Sequence, residues 1–396
     1  MSSQQIPPPL PHLQRIRELD IIRGIAILGI LLLNIKGFAM NSGAYFFPSL
    51  YDHFDSLSDK LAWFFSELFF AQKFYPLLAM PFGAGLVLMA RATEAAGQAP
   101  GPAHYRRMAG LFVIGFIHAY LLWYGDVLTD YAVCGAIAYP FHRRKPRTLL
   151  VLAVICLSIA ATLWFAIPEA NSEFDIEAYR QAGREEVTVY RGRWIDHFEL
   201  RALNARENQT GGYIVDFEPL GMMFLGMSLL KSGGLGTPQN RGRLRRLAAI
   251  ACATGWTVTA IGLIYWWLSG FAMMRSCYIM WAWLFFGGII TSLGYLAFIR
   301  LWISRHPLPG ERTTLECLGR TALSNYLLQS LVACFIFHGQ GLGLIGSFGR
   351  LGQLIIVPMI WGIQIILTKA WLKYFPQGPL EMLLRRITRG SPRAIT

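Results

Sequence analysis

Residues 19–40 read LDIIRGIAILGILLLNIKGFAM, and this stretch decides the fold. A helix that crosses about 30 Å of hydrocarbon needs about 20 mostly apolar residues. Inside lipid every backbone N–H and C=O must be paired within its own segment, so such a run folds as an α-helix. Ten runs of this kind predict an all-α, polytopic membrane bundle. They are 20–40, 61–90, 107–124, 127–141, 148–168, 213–231, 246–268, 276–300, 316–338 and 350–374.

The composition also indicates a membrane protein. Apolar residues make up 54% of the 396 residues and charged residues 15%, and the mean hydropathy is +0.40. The net charge of +13 lies mostly in short loops without an aromatic platform, so a nucleic-acid partner is not expected. The six cysteines lie in or beside apolar runs and show no Cys/His spacing, so neither structural disulfides nor a bound metal is expected.

The basic residues fall in alternate loops, which fixes the predicted orientation. Cytoplasmic loops of membrane proteins carry an excess of Lys and Arg. The basic loops hold Arg15 and Arg17, then Arg91 and Arg106, then Arg143 and Lys145, then Lys231 and Arg241, then Arg300 and Arg305, then Arg385 and Arg386. Both termini are therefore predicted to lie in the cytoplasm.

This orientation divides the chain into a cytoplasmic tail, a bundle and a C-terminal segment. Residues 1–19, rich in proline, are predicted to be a disordered cytoplasmic tail, and 20–376 the transmembrane bundle. Residues 377–396 are predicted to form a cytoplasmic interfacial helix and tail, because Pro379 stands where a helix would start and the far end is basic.

The long loop 169–212 is predicted to lie outside and to be partly helical. Val187, Tyr190, Trp194 and Phe198 recur at helical spacing. The loop could form an amphipathic surface helix or a lid over a site. A short helical hairpin that packs on the spans is the plainer interpretation.

Ionisable and polar side chains inside a bilayer are costly, so each is a functional candidate. Asp20 and Arg23 are three residues apart and share a helix face, although an ion pair closing the helix mouth would explain them equally well. Asn34 lies about 21 Å beyond Asp20 along the same helix. Lys73, near the middle of the second span, needs a partner or water and precedes Pro76, where this span is expected to kink or break.

The third and fourth spans share a connection of only a few residues. His118 lies far from either end of its span, and a lone His in a helix is more often a hydrogen-bonded structural group. Because the connection is short, His118 is predicted to lie near Asp126 and Asp130, with Tyr131 beside them. An imidazole next to a carboxylate is suited to removing a proton from a hydroxyl or an amine.

The ninth span carries a polar stripe. Asn325 and Gln329 are four residues apart, as are Tyr326 and Ser330, so these side chains share a face. Such residues often only join helices by hydrogen bonds. The alternative is that Asn325 and Gln329 bind a substrate.

Two zones of polar residues result. The cytoplasmic zone is basic and suits a phosphorylated donor; it comprises Asp20, Arg23, Arg106, Arg107 and Arg320. The zone from mid-depth to the outer side suits an acceptor and proton transfer; it comprises Asn34, Lys73, His118, Asp126, Asp130, Asn325 and Gln329. The predicted catalytic residues are His118, Asp126 and Asn34. The residues predicted to bind the substrate are Lys73, Asp130, Tyr131, Asn325 and Gln329.

An ordered set of motifs resembles the YeiB family of bacterial membrane proteins of unassigned function. The set covers nearly the whole chain. It consists of Leu19-Asp20-x-x-Arg23-Gly24 with Asn34, Lys73-Phe74 with Phe82-Gly83-x-Gly85, Gly115-x-x-His118 with Gly125-Asp126-x-Leu128-x-x-Tyr131, Gly319-Arg320-x-Ala322-Leu323-x-Asn325-Tyr326-x-x-Gln329-Ser330, and Gly378-Pro379-Leu380-Glu381.

The first motif also resembles the opening helix of a wider group of transmembrane acyltransferases, which includes heparan-alpha-glucosaminide N-acetyltransferase and the bacterial membrane O-acyltransferases. This resemblance implies acyl transfer from cytoplasmic acyl-CoA to an acceptor outside. It implies His118 as general base or transient acyl carrier, Asp126 as its orienting partner and Arg23 as a donor contact. Asn34 matches the Asn of the former family, whereas the O-acyltransferases have a His at that position.

The leading hypothesis is therefore an acyltransferase-like protein. Asp20, Arg23, Arg107 and Arg320 would bind acyl-CoA, and a small molecule, glycan or lipid would be the acceptor. A transporter or exporter of a small or lipid-like solute is the alternative, because carriers build sites from broken helices with polar residues at mid-depth. The third hypothesis is a non-catalytic protein that binds membrane lipids or a partner. A homodimer, in which the partner is a second copy of the chain, remains an open alternative.

Overall fold

The computed structural model describes residues 16–165, 176–210, 213–271, 274–306 and 310–389. The N-terminal tail predicted as disordered lies almost wholly outside these residues, as do the end of the C-terminal tail and both edges of the long loop. The helices are α1 (Arg17–Ala39), α2 (Ser42–Phe46), α3 (Leu57–Phe69), α4 (Phe74–Ala95), α5 (Pro100–Leu121), α6 (Leu128–Ala138), α7 (Pro146–Phe165), α8 (Ile176–Tyr190), α9 (Phe198–Thr210), α10 (Tyr213–Lys231), α11 (Arg241–Leu268), α12 (Met274–Arg305), α13 (Thr314–Arg320), α14 (Ala322–Phe337), α15 (Arg350–Leu372) and α16 (Pro379–Arg389).

The described residues are all-helical, without a β-strand. Six segments are long and apolar enough to cross a membrane: Arg17–Ala39, the broken Leu57–Ala95, Pro146–Leu163, Arg241–Leu268, Ser276–Arg305 and Arg350–Leu372. The other predicted spans correspond to α5, α6, α10 and the α13–α14 pair. Helix α6 has only 11 residues, and α14 only 16, because the ninth predicted span is interrupted at Thr321. The count of ten stays a prediction.

Large apolar side chains cover the outside of the bundle. Val154 on α7, Ile250 on α11 and Ile355 on α15 are 56%, 58% and 64% exposed, with many similar neighbours. Soluble monomers rarely expose apolar surface on this scale. Together with the six apolar segments, this surface shows a multi-pass membrane protein.

Helix α1 runs through the centre of the bundle. Its first half joins one buried cluster of apolar side chains and its second half another. Gly24 packs on the backbone of Leu315, and Gly319 on the backbone of Asp20; a Cβ at these two glycines would lie 2.2 Å and 1.7 Å from backbone oxygens. The glycines in both motifs therefore let α1 and α13 approach closely.

The predicted second span is broken, but at residues 70–73 and not at its prolines. Gln72 has φ 55° there, and α4 restarts at Phe74. Pro76 lies in the first turn of α4, where its missing N–H has no partner to lose. Pro81 lies inside α4 without ending it.

Two elements close the ends of the bundle. The α8–α9 hairpin (residues 176–210) packs over the C-terminal ends of α1, α5 and α14, which we call the hairpin end. Glu186 accepts a 2.8 Å hydrogen bond from Ser42 Oγ, and Arg191 Nη2 donates to the Ile345 carbonyl at 2.8 Å. At the opposite end α16 packs against the N-terminal half of α5 and the first turn of α14.

Candidate functional site

A cavity opens at the end of the bundle closed by α16. It has a volume of about 230 Å³. Arginines from three helices line it: Arg23 from α1, Arg107 from α5 and Arg320 from the end of α13. We call it the arginine cavity. Its other lining residues are Ile27, Leu78, Phe82, Leu111, Val127, Leu128, Tyr131, Gly319, Ala322, Leu323, Tyr326, Gln377, Glu381 and Leu384.

Each arginine is held by the fold. Arg23 Nη1 lies 3.3 Å from Asp20 Oδ1, and its Nη2 donates to the Pro81 carbonyl at 2.8 Å. The Arg107 guanidinium lies over the Phe82 ring, 5.6 Å from its centroid. Arg320 Nη2 donates to a carbonyl in the segment leading to α16 at 2.7 Å. The sequence-predicted pairing of Asp20 with Arg23 is thus present.

The acid that lines the cavity itself is engaged with α14. Glu381 of α16 accepts hydrogen bonds from Leu323 N at 2.7 Å and from Ser324 Oγ at 2.5 Å, so it caps the start of α14. Burial raises the pKa of Glu381, and the hydrogen bonds from Ser324 and Leu323 oppose that shift. Three guanidinium groups and one carboxyl group, that of Glu381, line the cavity, and Asp20 pairs with Arg23 beside it. The excess of positive charge favours an anionic ligand.

The inner part of the cavity is apolar and aromatic. Ile27, Leu78 and Leu111 line it, with the rings of Tyr131 and Tyr326. Both hydroxyls are engaged with backbone, because Tyr131 donates to the Tyr75 carbonyl at 3.0 Å and Tyr326 to the Gly125 carbonyl at 3.1 Å. A ligand with an anionic head and a less polar arm fits this gradient.

Beyond Tyr326 lies a buried hydrogen-bonded trio that we call the histidine relay: Asp126, His118 and Ser330. His118 Nδ1 is 2.8 Å from Asp126 Oδ1, and His118 Nε2 is 2.8 Å from Ser330 Oγ. All three residues are at most 2% exposed. The predicted approach of His118 and Asp126 is confirmed by this geometry.

The network fixes the tautomer of the imidazole. Asp126 Oδ2 already accepts from Thr129 N at 2.9 Å and from Thr129 Oγ1 at 3.1 Å, so the carboxylate is an acceptor on both oxygens. His118 Nδ1 therefore carries the proton, and Nε2 accepts from the Ser330 hydroxyl. A neutral imidazole in this state is a general base for the hydroxyl that it contacts.

The arginine cavity and the histidine relay lie along the same helices. Arg107 and His118 are 11 residues apart on α5, which is about 16 Å along the axis. On α14 Tyr326 precedes Ser330 by one turn, and its ring centroid is 5.2 Å from that of His118. The Tyr326 ring thus forms the wall between the two.

The amides of the ninth span are engaged between helices instead of facing the cavity. Asn325 Nδ2 donates to Thr368 Oγ1 at 3.0 Å, and Gln329 Nε2 donates to the Ile27 carbonyl at 2.9 Å. Gln364 of α15 bonds to both amides. Their contacts favour the helix-joining alternative over the substrate-binding role, because these donors are used up between α1, α14 and α15.

Lys73 lies in a separate buried group, not with the relay. Its Nζ donates to the Glu67 carbonyl at 2.9 Å, and Lys36 Nζ pairs with Glu67 Oε1 at 2.5 Å. Arg350 is buried beside them and donates to Ser66 Oγ at 3.2 Å. We call Lys36, Glu67, Lys73 and Arg350 the charge cluster.

Asn34 and Asp130 complete the predicted set. Asn34 is half-buried on α1, makes no side-chain hydrogen bond to the residues that the structure describes, and is not part of the relay. Asp130 is half-buried in the first turn of α6, four residues after Asp126.

Sequence reasoning gave no separate role to Ser330, Glu381 or Arg350. Ser330 was predicted only as a member of the polar stripe and of a motif, and Glu381 only as part of the closing motif. The contacts of these two residues join positions 212 and 58 residues apart, which spacing on one helix does not reveal. Within the described ranges no three His, Cys, Asp or Glu side chains form a group that could hold a metal ion.

Comparison with known proteins agrees with the motifs. A family model described as "Protein of unknown function (DUF418)" matches residues 229–391. The uncharacterized protein YeiB of Escherichia coli K12 is 30% identical over 411 residues, covering 97% of this chain and 99% of YeiB. The uncharacterized protein YxaH of Bacillus subtilis 168 is 30% identical over 406 residues, covering 95% and 94% of the two chains. This chain therefore belongs to the YeiB family of DUF418 membrane proteins.

Proposed function

We propose that this protein is a membrane acyltransferase that takes an acyl group from cytoplasmic acyl-CoA and delivers it to an extracytoplasmic or membrane-embedded acceptor. The observation that carries the proposal is the arrangement of the arginine cavity and the histidine relay, separated by about 16 Å along α5. Coenzyme A has phosphates at one end and its thioester at the far end of a long pantetheine arm, so its two ends match the basic cavity and the distant base. The Tyr326 ring, which separates the two, has to move aside for the thioester to reach His118.

The residue roles follow from this arrangement. Arg23, Arg107 and Arg320 bind the phosphates of the donor by charge-assisted hydrogen bonds, and Asp20 positions Arg23. His118 acts as the base and Asp126 orients it. Asp130 and Tyr131, in the first turn of α6, contact the acyl arm near the relay.

The proposed topology places the arginine cavity in the cytoplasm. The basic loops flank the same end of the helices as the cavity, and the positive-inside rule puts that end inside. The proposal includes ten spans, with both termini in the cytoplasm and the α8–α9 hairpin outside a bacterial inner membrane. A lipid, a glycan or a small molecule at the hairpin end would be the acceptor.

Thermal unfolding of the purified protein in detergent tests the donor site. Coenzyme A or acetyl-CoA at 100 times its Kd should stabilise the protein by about 2.7 kcal/mol. Arg23→Ala and Arg107→Ala should lose most of this shift. Arg143→Ala is the matched control, because Arg143 is an exposed arginine paired with Glu94 and does not line the cavity. Equal stabilisation of all three variants, or none of the wild type, would contradict the proposal.

A carrier is the second candidate, and the discontinuous helices favour it. Lys73 is the last residue of the break at residues 70–73, and the interruption at Thr321 lies one turn before Asn325. Secondary transporters build their sites from such interrupted helices. Solute flux in proteoliposomes that persists without any acyl donor would favour the carrier. Acyl transfer without any solute flux would exclude it.

A further inference from the structure

We propose that Ser330 is the nucleophile of this site and forms a covalent acyl-serine intermediate, with His118 as its general base. This inference rests on the proposed function for the identity of the donor. It assigns the acyl carrier to a serine hydroxyl, and it makes the reaction a double displacement in which donor and acceptor need not be bound together.

The geometry is that of an activated serine. The Ser330 hydroxyl donates to His118 Nε2 at 2.8 Å, and His118 Nδ1–H donates to Asp126 Oδ1 at 2.8 Å. The second oxygen of Asp126 is held by Thr129, so the carboxylate cannot rotate away from the imidazole. The same hydrogen-bonded arrangement of nucleophile, base and orienting acid recurs on unrelated folds. It is recognised by its geometry and by the roles of the residues, not by their order along the chain.

Ser330 differs from the other polar residues of the same stripe. Asn325 and Gln329 bond to amides, a hydroxyl and a backbone carbonyl of neighbouring helices, which only joins those helices. Ser330 instead contacts the one group nearby that can accept its proton. Helix joining accounts for the two amides, whereas the contact between His118 and Ser330 joins α5 to α14 and also places a base beside a hydroxyl.

The position of Ser330 suits two half-reactions. Leu323 of α14 lines the arginine cavity, and Phe337 ends α14 beneath the hairpin. Ser330 is seven residues from each, or about 10 Å along the axis in both directions. An acyl group attached at this point has left the donor cavity and is halfway to the opposite end.

The acylation of Ser330 and its deacylation each conserve atoms and protons, and together they return Ser330 and His118 to their starting states. In the first, Ser330 Oγ attacks the thioester carbonyl of acyl-CoA while its proton passes to His118 Nε2; the C–S bond breaks, and the departing thiolate takes that proton as free coenzyme A. In the second, the acceptor hydroxyl or amine gives its proton to His118 and attacks the serine ester. The C–Oγ bond breaks, and Ser330 Oγ recovers the proton.

The test is peptide mass spectrometry after incubating the detergent-solubilised protein with acetyl-CoA and quenching in acid. We expect one acetyl group on the peptide that contains Ser330, absent from Ser330→Ala and from His118→Ala. Ser292→Ala is the matched control, because Ser292 is a buried helical serine that donates only to the Ile289 carbonyl on its own helix. Acceptor turnover in Ser330→Ala should fall by on the order of 10³-fold or more. Acetyl found on His118, or turnover retained in Ser330→Ala, would overturn the inference.

A fluorophosphonate probe separates this inference from the proposed donor. The probe needs an activated serine and no coenzyme A. If it modifies Ser330 but coenzyme A gives no thermal shift, the donor is wrong and the nucleophile stands. If coenzyme A stabilises the protein but Ser330 reacts with neither reagent, the nucleophile is wrong and the donor site stands. Failure of binding and of both reactions overturns both.

Discussion

Replacing Asp126 with Asn tests whether the histidine relay is more than a packing contact. The carboxylate uses both oxygens as acceptors: Oδ1 for His118 Nδ1–H at 2.8 Å, and Oδ2 for Thr129 N at 2.9 Å. Asparagine has nearly the same shape but only one carbonyl oxygen. Whichever way it turns, its NH₂ group faces a donor.

The size of the effect follows from that mismatch. A buried donor left without a partner costs about 1–3 kcal/mol, which is the expected loss in the free energy of unfolding. His118 can relieve the mismatch by moving its proton to Nε2, but it then faces the Ser330 hydroxyl as a donor and is no longer a base. In a serine protease the same substitution lowers kcat by about 10⁴-fold, and we expect a fall on the order of 10³–10⁴-fold here.

The assay pairs the rate of acyl transfer with equilibrium unfolding in mixed detergent micelles. Asp196→Asn is the matched control, because Asp196 also accepts from a backbone N–H but is 42% exposed on the hairpin. It should retain the wild-type rate and stability. An Asp126→Asn protein with wild-type turnover would refute the role of Asp126, and a wild-type stability would refute the assignment of its hydrogen bonds.

Three further outcomes follow from the packing. Glu67→Gln should lower the free energy of unfolding by about 3–5 kcal/mol, because it leaves the cations of the charge cluster without a carboxylate. Lys36→Met should lower the free energy of unfolding by less than Glu67→Gln does, because Glu67 still has Lys73 and Arg350 beside it. A larger loss for Lys36→Met than for Glu67→Gln in denaturant titrations would contradict this prediction. Gly319→Ala should cost about 1–3 kcal/mol and weaken the coenzyme A shift, because its Cβ would lie 1.7 Å from a backbone oxygen of α1. Gly362→Ala inside α15 has open space around it, so it should leave the shift unchanged and lose no stability, because alanine favours a helix over glycine. Burial lowers the pKa of His197. The contribution of neutral His197 to the stability of the packed hairpin is therefore fully present above the ordinary histidine pKa of about 6.5. It decreases as the pH falls below that value, because only the unfolded chain then binds the proton. The melting temperature of the wild type should therefore fall as the pH drops below about 6.5, and His197→Gln should reduce this fall. A wild-type melting temperature that does not change with pH would contradict the role of His197.

Spacing and loop lengths in the sequence predicted several of the observed contacts correctly. Asp20 and Arg23 are one turn apart, so their pairing needed only the helix period. His118 and Asp126 are joined by a connection too short to separate them. Arg107 and Arg320 were grouped with Arg23 because their loops lie at the same end of the bundle, and all three line one cavity.

For Asn325, Gln329 and Lys73, the sequence predicted the position on a helix but not the neighbouring residues. Asn325 and Gln329 share a face, as predicted, but that face meets α15 and α1, so their donors are used between helices. Lys73 has its partner in Glu67 of the preceding helix, across a break set by Gln72 and not by the prolines. Periodicity gives the face of a residue, and the identity of the opposing helix has to come from the packing.

The sequence by itself determined the membrane class, the helical secondary structure and the family, because the need to pair every backbone group in lipid leaves one local solution for a long apolar run. It also identified Lys73, His118 and Asp126 as polar residues inside the bundle. Only the tertiary structure decided that Ser330 faces His118 and that Glu381 caps α14. These contacts join residues 212 and 58 positions apart. They depend on how close the helix axes come, which the glycines at the α1–α13 crossing and the docking of α16 set together.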